Sequence, residues 1–186
     1  MKCRLCILLL AISSSIATFA LPGEAYTAMN AIRRALSSSA SWRMTRQMKG
    51  ATVPLVSSGV VVCKPQAGID WRVEKPIESL IQMNASSMAI SNEDEVVVKK
   101  LDELPHYRQI RERVDRFAAG DYKAFDGIFD VEFSEIAGGW KLELEPDNFA
   151  MKRLFTRVTV IGGDLVESVR MVNADSSVSE IRFNKE

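Results

Sequence analysis

Histidine and cysteine are scarce in this sequence and neither sign of charge is in excess, and each shortage excludes something. The single histidine, His106, stands beside Pro105, so any triad built on imidazole would have to use a residue placed like a surface group at a helix start. Three cysteines occur, two of them (Cys3 and Cys6) in the first six residues. No zinc-like spacing of ligands and no phosphate-binding glycine loop is present, so no cofactor is expected. The 24 basic and 24 acidic residues cancel, which argues against a nucleic-acid partner. Among the local charge runs, Glu93, Asp94 and Glu95 read as solvated charge in a turn.

What the chain does have is apolar residues in short alternating runs. Its 186 residues, 47% of them hydrophobic and 26% charged, fit one globular domain. The first twenty residues differ from the rest. In "MKCRLCILLLAISSSIATFA", Lys2 and Arg4 precede an apolar run that ends in small residues, the pattern of an export leader. Ser13, Ser14 and Ser15 interrupt the run, which is shorter than the ~20 apolar residues of a membrane span. Cleavage is expected after Ala20, within a window from residue 17 to 25. The mature domain, 21–186, would then keep Cys63 alone, with no partner for an internal disulfide, and 22 basic against 24 acidic residues.

After the leader, Ala25, Met29, Ile32 and Leu36 form one stripe of an amphipathic helix, which the Ser-rich stretch ends. The period then changes to two. Trp42, Met44 and Met48 share one face of a strand, and Ile69, Trp71 and Val73 share another, with Asp70, Arg72 and Glu74 opposite. Further strands follow in "IESLIQM", "SMAIS" and "EVVVKK", broken by "NAS" and "NED". Tyr107, Ile110, Val114 and Phe117, spaced three, four and three, mark a helix between Pro105 and Gly120, with a further helical turn near Tyr122 to Phe125. Phe129, Val131 and Phe133 then alternate in a strand that turns at "GG" into Trp140, Leu142 and Leu144. The remainder gives three more strands, joined at Gly162-Gly163-Asp164 and Asn173-Ala174-Asp175.

About eleven antiparallel strands with short turns make a sheet wide enough to curl, close or be covered. The fold expected is α+β, mainly β: an incomplete barrel with a helical lid. Whether its apolar interior is a dry core or a cavity stays open at this point. The methionines suit an adaptable ligand surface or gap filling equally well. Arg46 shares the face of Trp42 and Met44, so it either reaches a rim or buries a charge. Arg108, Arg111, Arg113 and Arg116 lie off the helix stripe, as a solvated face or a dock for acidic partners or phospholipid headgroups.

The stretches "SSGVVVCKPQAGIDWRVEKPIESLI", "GIFDVEFSEIAGGWKLELEP" and "LFTRVTVIGGDLVESVRMV", in this order behind a leader and a helix, resemble the periplasmic outer-membrane lipoprotein carrier family, LolA and its relatives. The resemblance runs from about Ala25 to Phe183. It implies a soluble, non-enzymatic, monomeric periplasmic carrier that takes up the acyl chains of lipoproteins or another lipid. Such a carrier receives its cargo from an inner-membrane ATP-driven transporter and passes it to an outer-membrane receptor. The implied ligand wall comprises Trp42, Met44, Met48, Val61, Ile69, Trp71, Val73, Ile81, Met83, Phe129, Val131, Phe133, Trp140, Leu142 and Leu144. Tyr107, Ile110, Val114 and Phe117 would face it from the lid. In the well-known carriers an arginine just before the turn proline helps hold the lid closed. Here Lys64 precedes Pro65, so the charge is kept without the fork of donors, and Lys64 becomes the lid-control candidate. The chain also ends soon after Phe183, without the extra C-terminal loop and strand of some carriers, which suggests a divergent member. A lipid-reading regulatory protein of the same fold is the alternative, and an exported lipid or glycan hydrolase a more distant one.

Overall fold

The computed structural model describes residues 23–35, 37–64, 67–100, 103, 104, 108, 112, 116 and 127–184. Helix α1 (Gly23–Ala35) leads into strands β1 (Ser39–Gln47), β2 (Leu55–Lys64), β3 (Gly68–Lys75), β4 (Ser79–Met83), β5 (Ser87–Ser91) and β6 (Val96–Lys100). The second arm holds β7 (Phe129–Ile136), β8 (Gly139–Pro146), a single turn of helix α2 (Phe149–Lys152), β9 (Phe155–Gly162), β10 (Val166–Asn173) and β11 (Val178–Asn184).

The eleven strands form one antiparallel, unclosed sheet in the order β6-β5-β4-β3-β2-β1-β11-β10-β9-β8-β7. The first and last strands therefore pair in the middle, with Met44 opposite Ile181, and the two arms spread outward to the edges β6 and β7. Residues 101–128 connect one edge to the other. A twisted open sheet of more than ~10 strands must curl, and the apolar pattern decides which face turns inward.

Register makes that face continuous. Met44, Ile181, Val169, Val160, Leu142 and Phe133 stand directly opposite one another from β1 to β7. On the other arm, Ala40, Val61, Trp71, Ile81 and Ile90 do the same from β1 to β5. All of these residues belong to, or pack against, one apolar cluster. Because the side-chain period is two, a slip of one residue in any ladder would turn that strand's apolar set to solvent, so burial itself fixes the register.

Two of the expected turns owe their shape to asparagine. Asn84 Oδ1 accepts from the amides of Ser86 and Ser87, both at 2.9 Å, and Asn92 Oδ1 accepts from Asp94 at 3.1 Å and Glu95 at 2.8 Å. These contacts close the β4–β5 and β5–β6 hairpins in the manner of Asx turns. α2 was not expected from the pattern. Asn148 caps it by accepting from Met151 N at 2.9 Å, and Met151, 1% exposed, ties the turn into the core.

The leader (1–20) and the lid stripe Tyr107, Ile110, Val114 and Phe117 lie outside the described residues, as do Leu36, Pro65, His106, Arg111, Arg113 and the turn near Tyr122 to Phe125. Of the segment between β6 and β7, Arg108, Glu112 and Arg116 are helical and four residues apart. The Arg108 amide donates to the Leu104 carbonyl at 3.0 Å, and Arg108 pairs with Glu112 at 3.8 Å. Leu104 packs on the apolar cluster, so the connection begins against the sheet's inner face.

Candidate functional site

At one end of the sheet, where α1 crosses it, lies a cavity of about 1130 Å³. Its apolar walls come from α1 (Ile32), β1 (Ala40), β2 (Val61, Cys63), β8 (Trp140) and β11 (Phe183). The far side is made by two hairpin tips, around Ile136–Gly139 and Gly163–Val166, and the exposed acids Glu135, Asp164 and Glu167 stand on its border. α1 is fixed over it from both sides. Met29 and Ile32 sink into the apolar cluster, and Arg34 Nη2 donates to the Asp164 carbonyl at 2.5 Å. The volume lies just above the ~300–1,000 Å³ of common small-molecule pockets, a size suited to a long apolar ligand.

Trp140 forms a rigid wall. Its Nε1 donates to the Gly163 carbonyl at 2.7 Å, and a Cβ at Gly162 would stand 2.6 Å from the indole ring, so no larger residue could share the position. Cys63 is free and buried, and burial pushes its thiol up to about 11, so it presents an uncharged S–H at neutral pH.

Beside the cavity two further tryptophans meet. The rings of Trp42 and Trp71 lie 4.6 Å apart and tilted by 31°, with exposures of 2% and 0%. They reach each other across β2 because the residue opposite Trp42 is Gly59. A Cβ there would lie 1.9 Å from the Arg72 carbonyl oxygen.

The expected wall residues can now be placed. All but Met48 belong to the inner-face cluster or pack against it. Met48 follows the end of β1 and is 46% exposed, outside the wall, because the strand pairing stops at Gln47. Within the cluster only Val61 and Trp140 of the expected set line the cavity; the others face neighbouring side chains across the sheet. Ile136, Leu165, Val166 and Phe183 are wall residues that sequence reasoning missed. The paired glycines at 138–139 and 162–163 marked the tips, but nothing in the local pattern told that these tips meet α1.

Lys64 Nζ is held by Asp70 Oδ2 at 2.6 Å, and Gln82 Nε2 donates to the other carboxylate oxygen at 3.3 Å. Asp70 alternates with Ile69 and Trp71, so this pair sits on the outer face, away from the cavity. The Lys64 ammonium, with Gln82 and Arg72 adding to it, holds the Asp70 carboxyl below its usual range. Arg46 is half-buried at the opposite end of the sheet. Its Nη2 donates to Ser177 Oγ at 3.2 Å and lies 3.4 Å from Asp175 Oδ2. Arg46 therefore does not border the cavity; its charge is partly buried and paired with Asp175.

No group of three metal-ligating side chains comes together among the described residues, and no described helix is long and apolar enough to cross a membrane. No family model matches the chain, and no curated protein matches it. Solved structures do. A LolA superfamily protein from Nitrosomonas europaea is similar at 9% identity and a TM-score of 0.38, over 79% of this chain and 83% of that one. An outer membrane lipoprotein-sorting protein domain from Vibrio parahaemolyticus is similar at 9% identity and a TM-score of 0.39, over 86% and 90%. LprF from Mycobacterium bovis is similar at 11% identity and a TM-score of 0.36, over 88% and 93%.

Proposed function

We propose that the protein is a non-catalytic carrier whose cavity takes up the acyl chains of lipoproteins or a related lipid. The observation that carries this reading is the cavity of about 1130 Å³ walled by Ile32, Ala40, Val61, Trp140 and Phe183 and continuous in face with the sheet's apolar interior. Each methylene moved from water into such a wall contributes ~0.8 kcal/mol, so about ten buried methylenes supply ~8 kcal/mol without any specific polar contact. Contacts of this kind hold a chain out of water and still release it to a competing apolar surface.

In this reading the leader sends the chain to the periplasm, where it works as a soluble monomer. An inner-membrane ATP-driven transporter loads it and an outer-membrane receptor unloads it. The segment between β6 and β7, which begins with Leu104 against the inner face, would serve as the lid. Lid opening then governs loading and release.

Uptake of a fluorescent acyl chain tests the reading. Saturable uptake by the purified protein, followed by transfer to acceptor vesicles, is the expected result. A lipid-reading sensor of the same fold would bind and not transfer, and a folded protein that takes up nothing would end the carrier reading.

A further inference from the structure

Four buried side-chain polar atoms among the described residues have no hydrogen-bond partner: Trp42 Nε1, Trp71 Nε1, Arg46 Nε and Ser57 Oγ. Buried polar atoms are nearly always paired, so a group of exceptions needs a reason. These exceptions are not scattered. They come from three adjacent strands, β1, β2 and β3, and the register turns all of them to one face: Ser57 stands opposite Met44, Arg46 is two residues further along β1, and Trp71 stands opposite Val61. An indole offers a donor and no acceptor, as does an arginine Nε. Three of the four atoms are thus donors only, and the fourth, Ser57 Oγ, can donate or accept.

The two indoles touch, and they adjoin the cavity. Trp71 is the cross-strand neighbour of the cavity residue Val61, and Trp42 is two residues from the cavity residue Ala40 on the same face, a step of ~7 Å. We propose that the Trp42–Trp71 pair reads the linking carbonyl of an acyl ester, with indole N–H donating to the carbonyl oxygen while the chain beyond it lies along Ala40 and Val61 into the cavity. This rests on the carrier reading and gives it a substrate class. A hydrocarbon chain alone leaves both donors unpaired. An ester carbonyl supplies two lone pairs and no proton, the complement of this pair. Because the indoles are 2% and 0% exposed, the packing over them must part for the carbonyl to arrive.

The third tryptophan gives the test its control, since Trp140 Nε1 already donates to Gly163 O and the chain contains only these three. The indole N–H signals of delipidated, ¹⁵N-labelled protein are followed while a diacylglycerol diester, or its diether analogue of equal chain length, is added. The diester is expected to move the Trp42 and Trp71 signals downfield and leave Trp140 in place, and the diether to move neither downfield. Binding of the diester should be about tenfold tighter, and Trp42→Phe with Trp71→Phe should erase that preference. Equal binding and equal shifts for diester and diether would overturn the carbonyl-reading role and leave the carrier reading standing. So would Trp42 and Trp71 signals that already sit at hydrogen-bonded positions and do not respond, as if water satisfied them. Binding of neither lipid would overturn the carrier reading itself.

Discussion

The inner face of β1–β3 and the inner face of β8–β10 have the same alternating pattern in sequence and differ in chemistry. On β8–β10, Leu144, Val158, Val160 and Val169 are all 0% exposed, and Trp140 has its hydrogen bond. On β1–β3, Trp42 and Trp71 are just as buried, yet their indole donors are unpaired, and the wall opens at Ala40 and Val61 onto the cavity. Except at Trp140 and Val166, which border the cavity, the first region is closed against itself. The second has contacts left to make. One sheet can therefore divide its labour, with the stretch of Leu144, Val158, Val160 and Val169 holding the fold while the β1–β3 face and the strand ends beneath α1 serve the ligand.

Substitutions on the two faces should separate these roles. The largest expected effect is on stability. Leu144→Ala removes a fully buried side chain from the closed region and should cost about 2–5 kcal/mol in denaturant unfolding, with acyl uptake per folded molecule unchanged. A comparable loss of uptake would show that the stretch around Leu144 is itself ligand surface. Ala40→Phe does the reverse. It places a ring in the cavity and should weaken acyl uptake about tenfold or more with little change in unfolding midpoint. Retained uptake would move the ligand away from this cavity.

Cys63 reports on the same wall without substitution. With its thiol raised from 9.0 to about 11 by burial, its thiolate fraction at neutral pH is about a hundredfold lower than usual, so alkylation should be correspondingly slow and slower again with lipid bound. The raised value also stabilises the fold fully below pH 9.0, and that contribution is lost as pH rises toward 11. Unfolding curves taken across this window would follow the loss, and an unchanged midpoint would remove the buried thiol from the wall.

The smallest effect is expected on the outer face. Lys64→Met breaks an ion pair whose lysine side chain is 54% exposed, should cost no more than about 0.5 kcal/mol, and should leave uptake and release unchanged. The Asp70 share of that pair is present above pH 3.8 and fades as pH falls through its lowered value. A change in release rate would return Lys64 to lid control.

Much of this contrast was invisible in the sequence, and for a physical reason. Period-two alternation reports which residues share a face, so the eleven strands, the turns at Asn84 and Asn92, and the membership of Trp71, Leu142 and Leu144 in one apolar face could all be read. Alternation does not report what stands across the face. Trp42 and Trp140 look alike in their strands, and only the long-range register shows that one meets a second indole while the other meets a carbonyl. The cavity escaped for the same reason. Ile136, Leu165 and Phe183 reach it from tips and strand ends that α1 brings together across more than a hundred residues of chain.

The most direct test of the account is native mass spectrometry of the protein purified from the cells that make it, followed by lipid extraction. A bound species carrying ester-linked acyl chains is expected, lost on Ala40→Phe and retained on Leu144→Ala. A protein that arrives without ligand, and takes up none when offered a diester lipid, would mean that both faces are closed core and would contradict the account.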